Sequence, residues 1–467
     1  MEFLSIRRIA RLLRTKKISP VELTEAVLAR VEKQNPRLNA YITVLAERAR
    51  VDARRAEHEI VRGRYRGPLH GVPISIKDNI WVRGVLCTAG SKILADFIPA
   101  EAATVARRLL RAGAVLIGKT NLHEFAYGIT GENPHYGPAR NPWALDCIAG
   151  GSSGGSAAAL AAGLCFASVG TDTGGSIRIP AALCGVTGLK PTFGRVSSYG
   201  VVPLARSLDH VGPLARAVED LAIVLQVIAG CDLLDPTAAA NPVPDYSGAL
   251  RGRLGRLRLG WPREYFFEHI DDQVRRAIEA AARVFVKLGA QIEEVSLPHI
   301  RDSAEPSTHI ALAEARLFHE TAGHFPARAL EYGEDVRKLL DKGASVSAVD
   351  YLKALEIQQT VLRDFQAAFG RVDAILAPAV PVPAPPLGES ILMIGGERET
   401  VRSALIRLNR PGNLTGLPAI SVPCGFTRDG LPIGLQLIGP AWSEERLLRI
   451  AHAYEQATDW HTRRPKD

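Results

Sequence analysis

The sequence predicts an α/β protein, and three observations carry that prediction. The first 65 residues repeat apolar side chains at helical spacing. From Gly71 onward, short aliphatic runs of strand length alternate with helical stretches. Glycine and proline punctuate the joins, where turns favour them. With 46% hydrophobic and 23% charged residues among 467, the composition is that of an ordinary globular protein able to bury a large core.

The elements follow in order. Residues 7–17 interleave basic side chains with leucine and isoleucine, the pattern of a solvated face on an amphipathic helix. Ser19-Pro20-Val21-Glu22 is a capping box with proline at the first helical position. Leu23, Val27, Leu28 and Val31 continue that helix, which Asn35-Pro36 should end. A charged helix is predicted over 45–62. Residues 72–76 read as a strand, 104–111 as a helix stopped by Gly113, and 114–117 as a short buried strand. Small residues build a helix over 156–164. Segments 201–209 and 254–260 read as strand or loop, and 218–228 and 272–288 as helices. Residues 303–369 are mostly helical. The strand at 374–377 runs into a proline-rich stretch, 378–386, expected to be an ordered surface loop. Residues 419–422 and 433–438 are strands, and 444–455 is a closing helix with acids in its first turn.

The net charge of +8 comes from scattered arginines, with no block of like charge of the kind found in nucleic-acid-binding arms. Cys87, Cys147, Cys165, Cys184, Cys231 and Cys424 form no C-x-x-C pair and read as buried free thiols in a reducing compartment. The N-terminus lacks the apolar core of a signal peptide, and the longest uncharged run, 156–170, is too short to span a bilayer. The expectation is a cytoplasmic protein without membrane attachment.

Four glycine- or lysine-bearing segments could carry chemistry. Gly113-x4-Gly118-Lys119-Thr120 matches a P-loop letter for letter. A P-loop needs a strand before the first glycine and a helix after the lysine. Here a helix precedes Gly113, and the four intervening aliphatic residues form a buried strand, so phosphate binding is excluded. The run from Gly150 to Ser156 contains G-x-S-x-G centred on Ser152 and on Ser153, which leaves an α/β-hydrolase nucleophile elbow open, with His210, His299 or His452 as partner. The segment before it, 141–148, is a poor strand, as that reading would not expect. In Gly170 to Arg178, two glycines precede Ser176, so successive N–H groups can converge on one oxygen. In Gly71 to Asn79, strand alternation puts Ser75 and Lys77 on one face. A lysine buried there loses charge readily and can act as a base; the alternative is a lysine paired with Asp78.

Taken together, these strings resemble the amidase signature family. The matching stretches are GGSSGGSAAALAAG at 150–163, GTDTGGSIRIPAALCGVTGLKPTFGRVS at 170–197, GVPISIKDNI at 71–80, GAVLIGKTNLHEFAYG at 113–128 and GNLTGLPAISVPCGF at 412–426. The resemblance implies the amidase signature fold, a large mixed β-sheet core flanked by helices on both faces. It implies a Ser-Ser-Lys triad: Ser176 as nucleophile, Ser152 as bridging hydroxyl and Lys77 as base. A serine hydroxyl attacks only when something takes its proton, and a neutral desolvated lysine reached through Ser152 can do so. N–H groups of Thr173, Gly174, Gly175 and Ser176 would form the oxyanion hole, worth about 3–4 kcal/mol per donor. Ser153, Asp172 and Arg178 would support these groups, and Ala126, Tyr127, Gly128 and Thr130 would line the substrate site. The resemblance also implies a cis Gly151–Ser152 bond. No sequence feature suggests a metal, nucleotide or flavin, so no cofactor is expected.

It implies an amidase acting on a small-molecule amide through an acyl-enzyme. The main expectation is a stand-alone enzyme, a candidate homodimer. The alternative is the glutaminase component of the tRNA-dependent amidotransferase, its A chain, which frees ammonia from glutamine and works with B and C subunits and tRNA. In that component an acid grips the glutamine amino group seven positions before the asparagine of N-L-x-G-L-P; here the position holds Ile406. One domain over 1–467 is expected: a helical segment at 1–65, the signature core at 66–230, a variable part at about 230–400, and a return to the core sheet at 401–467.

Overall fold

One eleven-stranded mixed sheet organises the fold. The structure, a computed structural model, describes residues 3–252 and 254–466. Residues 1, 2, 253 and 467, which the domain expectation included, lie outside the described residues. In chain order the strands are β1 (Tyr41–Val44), β2 (Pro73–Lys77), β3 (Val115–Thr120), a short hairpin of β4 (Arg140–Asn141) and β5 (Ala144–Ile148), β6 (Ala167–Asp172), β7 (Thr187–Lys190), β8 (His210–Ala215), β9 (Arg258–Pro262), β10 (Gln291–Val295), β11 (Ala374–Pro378), a second hairpin of β12 (Ile391–Ile394) and β13 (Glu397–Thr400), β14 (Ala419–Phe426) and β15 (Pro432–Ile438). The sheet order is β1-β3-β2-β6-β8-β7-β14-β15-β11-β9-β10. Helices flank both faces.

Two stretches of parallel pairing matter most. Strands β3, β2 and β6 run parallel to one another, as do β10, β9 and β11. In open α/β sheets ligands gather at the carboxyl ends of parallel strands. The carboxyl ends of β2 and β6 carry Lys77 and Thr171–Asp172. Strand β2 is buried along its whole length, which is why it reads as an almost unbroken apolar run ending in lysine. The helix Gly154–Ala161 is wholly buried beside it. Its small residues are needed: a β-carbon at Gly155 would stand 2.4 Å from the Ala40 carbonyl oxygen.

Local signals explain most elements. Ser19 and Glu22 make the reciprocal cap, at 3.0 and 2.9 Å. The helix Ile6–Arg14 buries Ile6, Ile9, Ala10 and Leu13 and leaves its arginines outward. Four expectations need correction. The helix begun at Pro20 runs through Pro36 to Leu38 and is closed by Asn39 in the left-handed conformation, φ 49°. A proline in the last turn removes only one hydrogen bond, so the cap decides the end. Residues 141–148 are not strand-poor, since they form most of the β4–β5 hairpin. The stretch 378–386 is not a surface loop: Ala379, Val380, Val382 and Ala384 are buried in an apolar cluster with Ile148, Ile179 and Leu405. Its prolines have no N–H to satisfy, so an irregular path through the interior costs less. Five cysteines are buried, but Cys231 is exposed.

Candidate active site

Strand alternation sends Lys77 inward, and nothing acidic meets it there. Its Nζ lies 2.7 Å from Ser152 Oγ and 2.7 Å from Thr171 Oγ1. Among the described residues no carboxylate lies within ion-pair distance of it. Lys77 has 0% of its surface exposed. Burial disfavours the ammonium and lowers its pKa from 10.5 to about 7, against a weaker upward pull from Asp172 and Asp209. The alternative pairing with Asp78 does not occur. Asp78 instead binds Lys119 of the P-loop look-alike at 2.9 Å, together with the Thr88 N–H and hydroxyl.

The loop after β6 is built around Asp172. Its carboxylate accepts from the N–H groups of Gly175 (2.7 Å), Ile177 (3.1 Å) and Arg178 (3.4 Å). Arg178 returns to it through Nε and Nη2, both at 3.1 Å. The same guanidinium reaches the Asn409 carbonyl, Asn413 Oδ1 and Gln436 Oε1. Burial would raise the Asp172 carboxyl, but Arg178 overcomes it and holds the group well below the ordinary carboxylate range. Gly175 takes φ +123°, where a β-carbon would also strike Asn409 and Ile179 at 2.7 Å, so glycine is required. Of the four N–H groups expected to hold an oxyanion, that of Gly175 donates to Asp172, whereas those of Thr173, Gly174 and Ser176 have no partner among the described residues.

Ser153 is tied down, its hydroxyl donating to the Thr171 carbonyl at 3.2 Å and its N–H to the Ser176 carbonyl at 3.2 Å. The Gly151–Ser152 peptide bond is cis. The Ser152 and Ser176 hydroxyls share no hydrogen bond in this conformation; Ser152 faces Lys77, and Ser176 opens on a cavity of about 80 Å³. That cavity is lined by Ala126, Tyr127, Gly128 and Ile129, while Thr130, named with the first three from the sequence, does not line it. The Thr130 hydroxyl accepts from the Glu132 N–H at 3.4 Å instead.

The elbow alternative lacks its histidine. His210 bonds the Leu208 carbonyl, His299 Asp364, and His452 lies by Glu455. Sequence reasoning misses four residues that the fold brings here. Thr171 holds Lys77 from the strand beside it. Asp209 takes the Thr173 hydroxyl at 2.5 Å, and burial raises its pKa to about 6. Arg402 and Arg410 line the cavity wall. Only Thr171 leaves a signal, as a hydroxyl on a buried strand next to β2.

Comparison with known proteins shows the family. The family model Amidase matches residues 22–448. The chain is an enzyme of the C–N hydrolase class that acts on amides. It belongs to the amidase family, the amidase signature group that its motifs resemble. It is 44% identical to the A chain of the glutamyl-tRNA(Gln) amidotransferase of Geotalea daltonii, over 99% of this chain and 98% of that protein. A solved structure described as a vestigial protein complex that reveals the evolutionary origins of an s-triazine catabolic enzyme is 36% identical, with a TM-score of 0.93, covering 99% of this chain and 100% of that one. The corresponding glutamyl-tRNA(Gln) amidotransferase chain of Thermotoga maritima is 35% identical, with a TM-score of 0.82, over 97% and 95% of the two chains.

Proposed function

We propose that the chain hydrolyses a carboxamide through an acyl-enzyme on Ser176, with Lys77 as base and Ser152 as relay. One observation supports this most: a wholly buried lysine, without a carboxylate partner, 2.7 Å from a serine hydroxyl. Near neutral pH a large share of Lys77 is the free amine. Its lone pair takes the Ser152 proton while Ser152 takes that of Ser176. The Ser176 oxygen adds to the amide carbon, and the resulting oxyanion sits against the N–H groups of Thr173, Gly174 and Ser176. Losing one such donor costs about 10²–10³ in rate. The C–N bond then breaks as the relay returns its proton to the departing nitrogen. Water adds to the acyl-enzyme by the same route, leaving carboxylic acid and free Ser176. The hydroxyl-to-hydroxyl contact needs substrate to close it, as catalytic hydrogen bonds often do. Ser153 and the Asp172–Arg178 pair hold the loops in place.

A second reading is favoured by the curated relatives, which are named as the A chain of the glutamyl-tRNA(Gln) amidotransferase. Their names support that assignment better than a stand-alone amidase. In that case the chain would supply ammonia from glutamine to partner B and C subunits and tRNA. Two experiments together address both readings. A fluorophosphonate probe with peptide mapping should label Ser176, and an amide panel with ammonia detection should show turnover by the isolated chain that Ser176→Ala removes. Labelling at Ser152 or Ser153 would refute the triad. Turnover of glutamine alone, and only with partner subunits and tRNA, would establish the amidotransferase.

A further inference from the structure

The wall of the cavity facing Ser176 is basic and has no acidic counterpart. Arg402 and Arg410 line it, on either side of Ile406 in sequence, and no Asp or Glu does. Among the described residues neither guanidinium has a carboxylate within 4.0 Å. Arg402 donates one N–H to the Tyr127 carbonyl at 3.1 Å and lies 5.6 Å from the Tyr127 ring centre. Arg410 donates one to the Ala304 carbonyl at 3.4 Å. Each guanidinium has five N–H donors, so most are left over. Asp335, the carboxylate whose charge bears on Arg402, is held by His123 at 2.7 Å.

A second observation points to the same place. The Tyr127 hydroxyl is buried and has no hydrogen-bond partner, although Tyr127 lines the cavity. Burial pushes its pKa up to about 12, and the two arginines are the charges that oppose that push. Burial lowers Arg410 to about 10, with Arg402 adding to the effect. Both arginines are half-buried, and two cations beside an unsatisfied buried phenol around one cavity favour an anion that completes them. This anion site adjoins the reacting centre, because a β-carbon at Gly174 would stand 3.0 Å from Ile406 Cδ1 and 3.9 Å from Arg410 Cγ.

Resting on the amidase reading above, we infer that the substrate is a small amide whose acyl chain carries a carboxylate and no ammonium group, gripped by Arg402, Arg410 and the Tyr127 hydroxyl. The half-amides of short dicarboxylic acids are the class that fits. Glutamine has the carboxylate but also an ammonium, which meets two arginines and Ile406 where it would need an acid.

The test compares malonamate, succinamate and glutaramate with propionamide, butyramide and valeramide, and with L-glutamine. At least one half-amide should exceed its neutral partner about 100-fold in kcat/KM, as a charge-assisted pair at a desolvated site requires. Arg402→Met and Arg410→Met should each cut that ratio at least tenfold, and Arg410→Lys should restore part of it. Catalysis-free binding provides a separate readout: the matching dicarboxylate should raise the thermal midpoint of the Ser176→Ala protein, and the neutral amide should not. A ratio near one, a ratio indifferent to both Met variants, or glutamine as the best substrate would overturn the inference. Arginine-dependent dicarboxylate binding in a chain that cleaves no amide would instead sink the catalytic reading and leave the anion site standing.

Discussion

Lys77 and Lys119 sit at the ends of paired parallel strands, both wholly buried, yet their surroundings treat their charges in opposite ways. In the register of β2 and β3, Ile76 lies opposite Lys119 and Lys77 opposite Thr120. Lys119 meets Asp78 in a buried ion pair, and its charge is compensated. Among the described residues Lys77 meets only the hydroxyls of Ser152 and Thr171. A buried ammonium without an anion is costly, so the protein holds Lys77 near the point of losing its proton, where a base is useful. The two sites show that burial alone does not decide whether a lysine keeps its charge. What matters is whether the fold also supplies a carboxylate.

The comparison breaks most visibly at Lys77. Lys77→Met should lower kcat by at least about 10⁴-fold, the scale of losing a member of a serine triad. The same change should stabilise the fold. The native state resists protonating Lys77 down to about pH 7, whereas the unfolded chain takes the proton near 10.5. The burial cost is therefore absent above pH 10.5, grows as pH falls, and is complete by about pH 7. At neutral pH it amounts to about 4 kcal/mol as an upper bound, less about 1 kcal/mol for each hydrogen bond lost. Urea unfolding at pH 7 and pH 10.5 measures this directly. A Met variant less stable than the parent at pH 7 would contradict the account of Lys77 as an uncompensated charge.

Lys119→Met should do the reverse. It leaves Asp78 as a lone buried carboxylate, a defect worth about 3–5 kcal/mol of lost stability. The loss should appear in the unfolding midpoint, and Lys119→Met with Asp78→Asn should recover part of it, since the uncompensated charge is then gone. No recovery in the double variant would mean that the packing of the lysine stem, rather than the ion pair, carries the energy.

Which parts of this site are legible in the sequence follows from where the determinants lie. Lys77 is readable because alternation along one five-residue strand fixes its direction, and the two glycines before Ser176 announce a close backbone approach. Thr171, one strand over, is readable only as a polar residue in an apolar run. Arg402 and Arg410 are not readable. Basic residues at 402, 407 and 410 look like any helical surface charge. What distinguishes the two in the cavity wall is the lack of a carboxylate, which depends on the packing of 126–129 and of the helix Ala304–Thr321 against them. The stretch 378–386 misleads for a related reason: proline content reports backbone chemistry, while burial is decided by the cluster around Ile148 and Leu405.

The finest test of the contrast lies in the charges that still pull on Lys77. Asp209 favours the ammonium form and is the weaker of its two acidic influences. With the parent enzyme, activity should rise from acid toward alkaline pH with a midpoint near 7, because the proposed mechanism uses the free amine. Asp209 itself titrates near 6. As pH falls through that value Asp209 becomes neutral, its pull on Lys77 disappears, and Lys77 accepts a proton less readily. The acid limb should therefore fall less than tenfold per unit below about pH 6, as coupled groups do. Asp209→Asn removes that charge throughout while keeping an oxygen for the Leu204 and Ala205 N–H groups. Its midpoint should move to lower pH by less than about one unit, and its limb should steepen to a full tenfold per unit. A midpoint that moves to higher pH would mean that Asp209 acts on the reaction through the Thr173 hydroxyl it holds, and not through the charge of the buried amine.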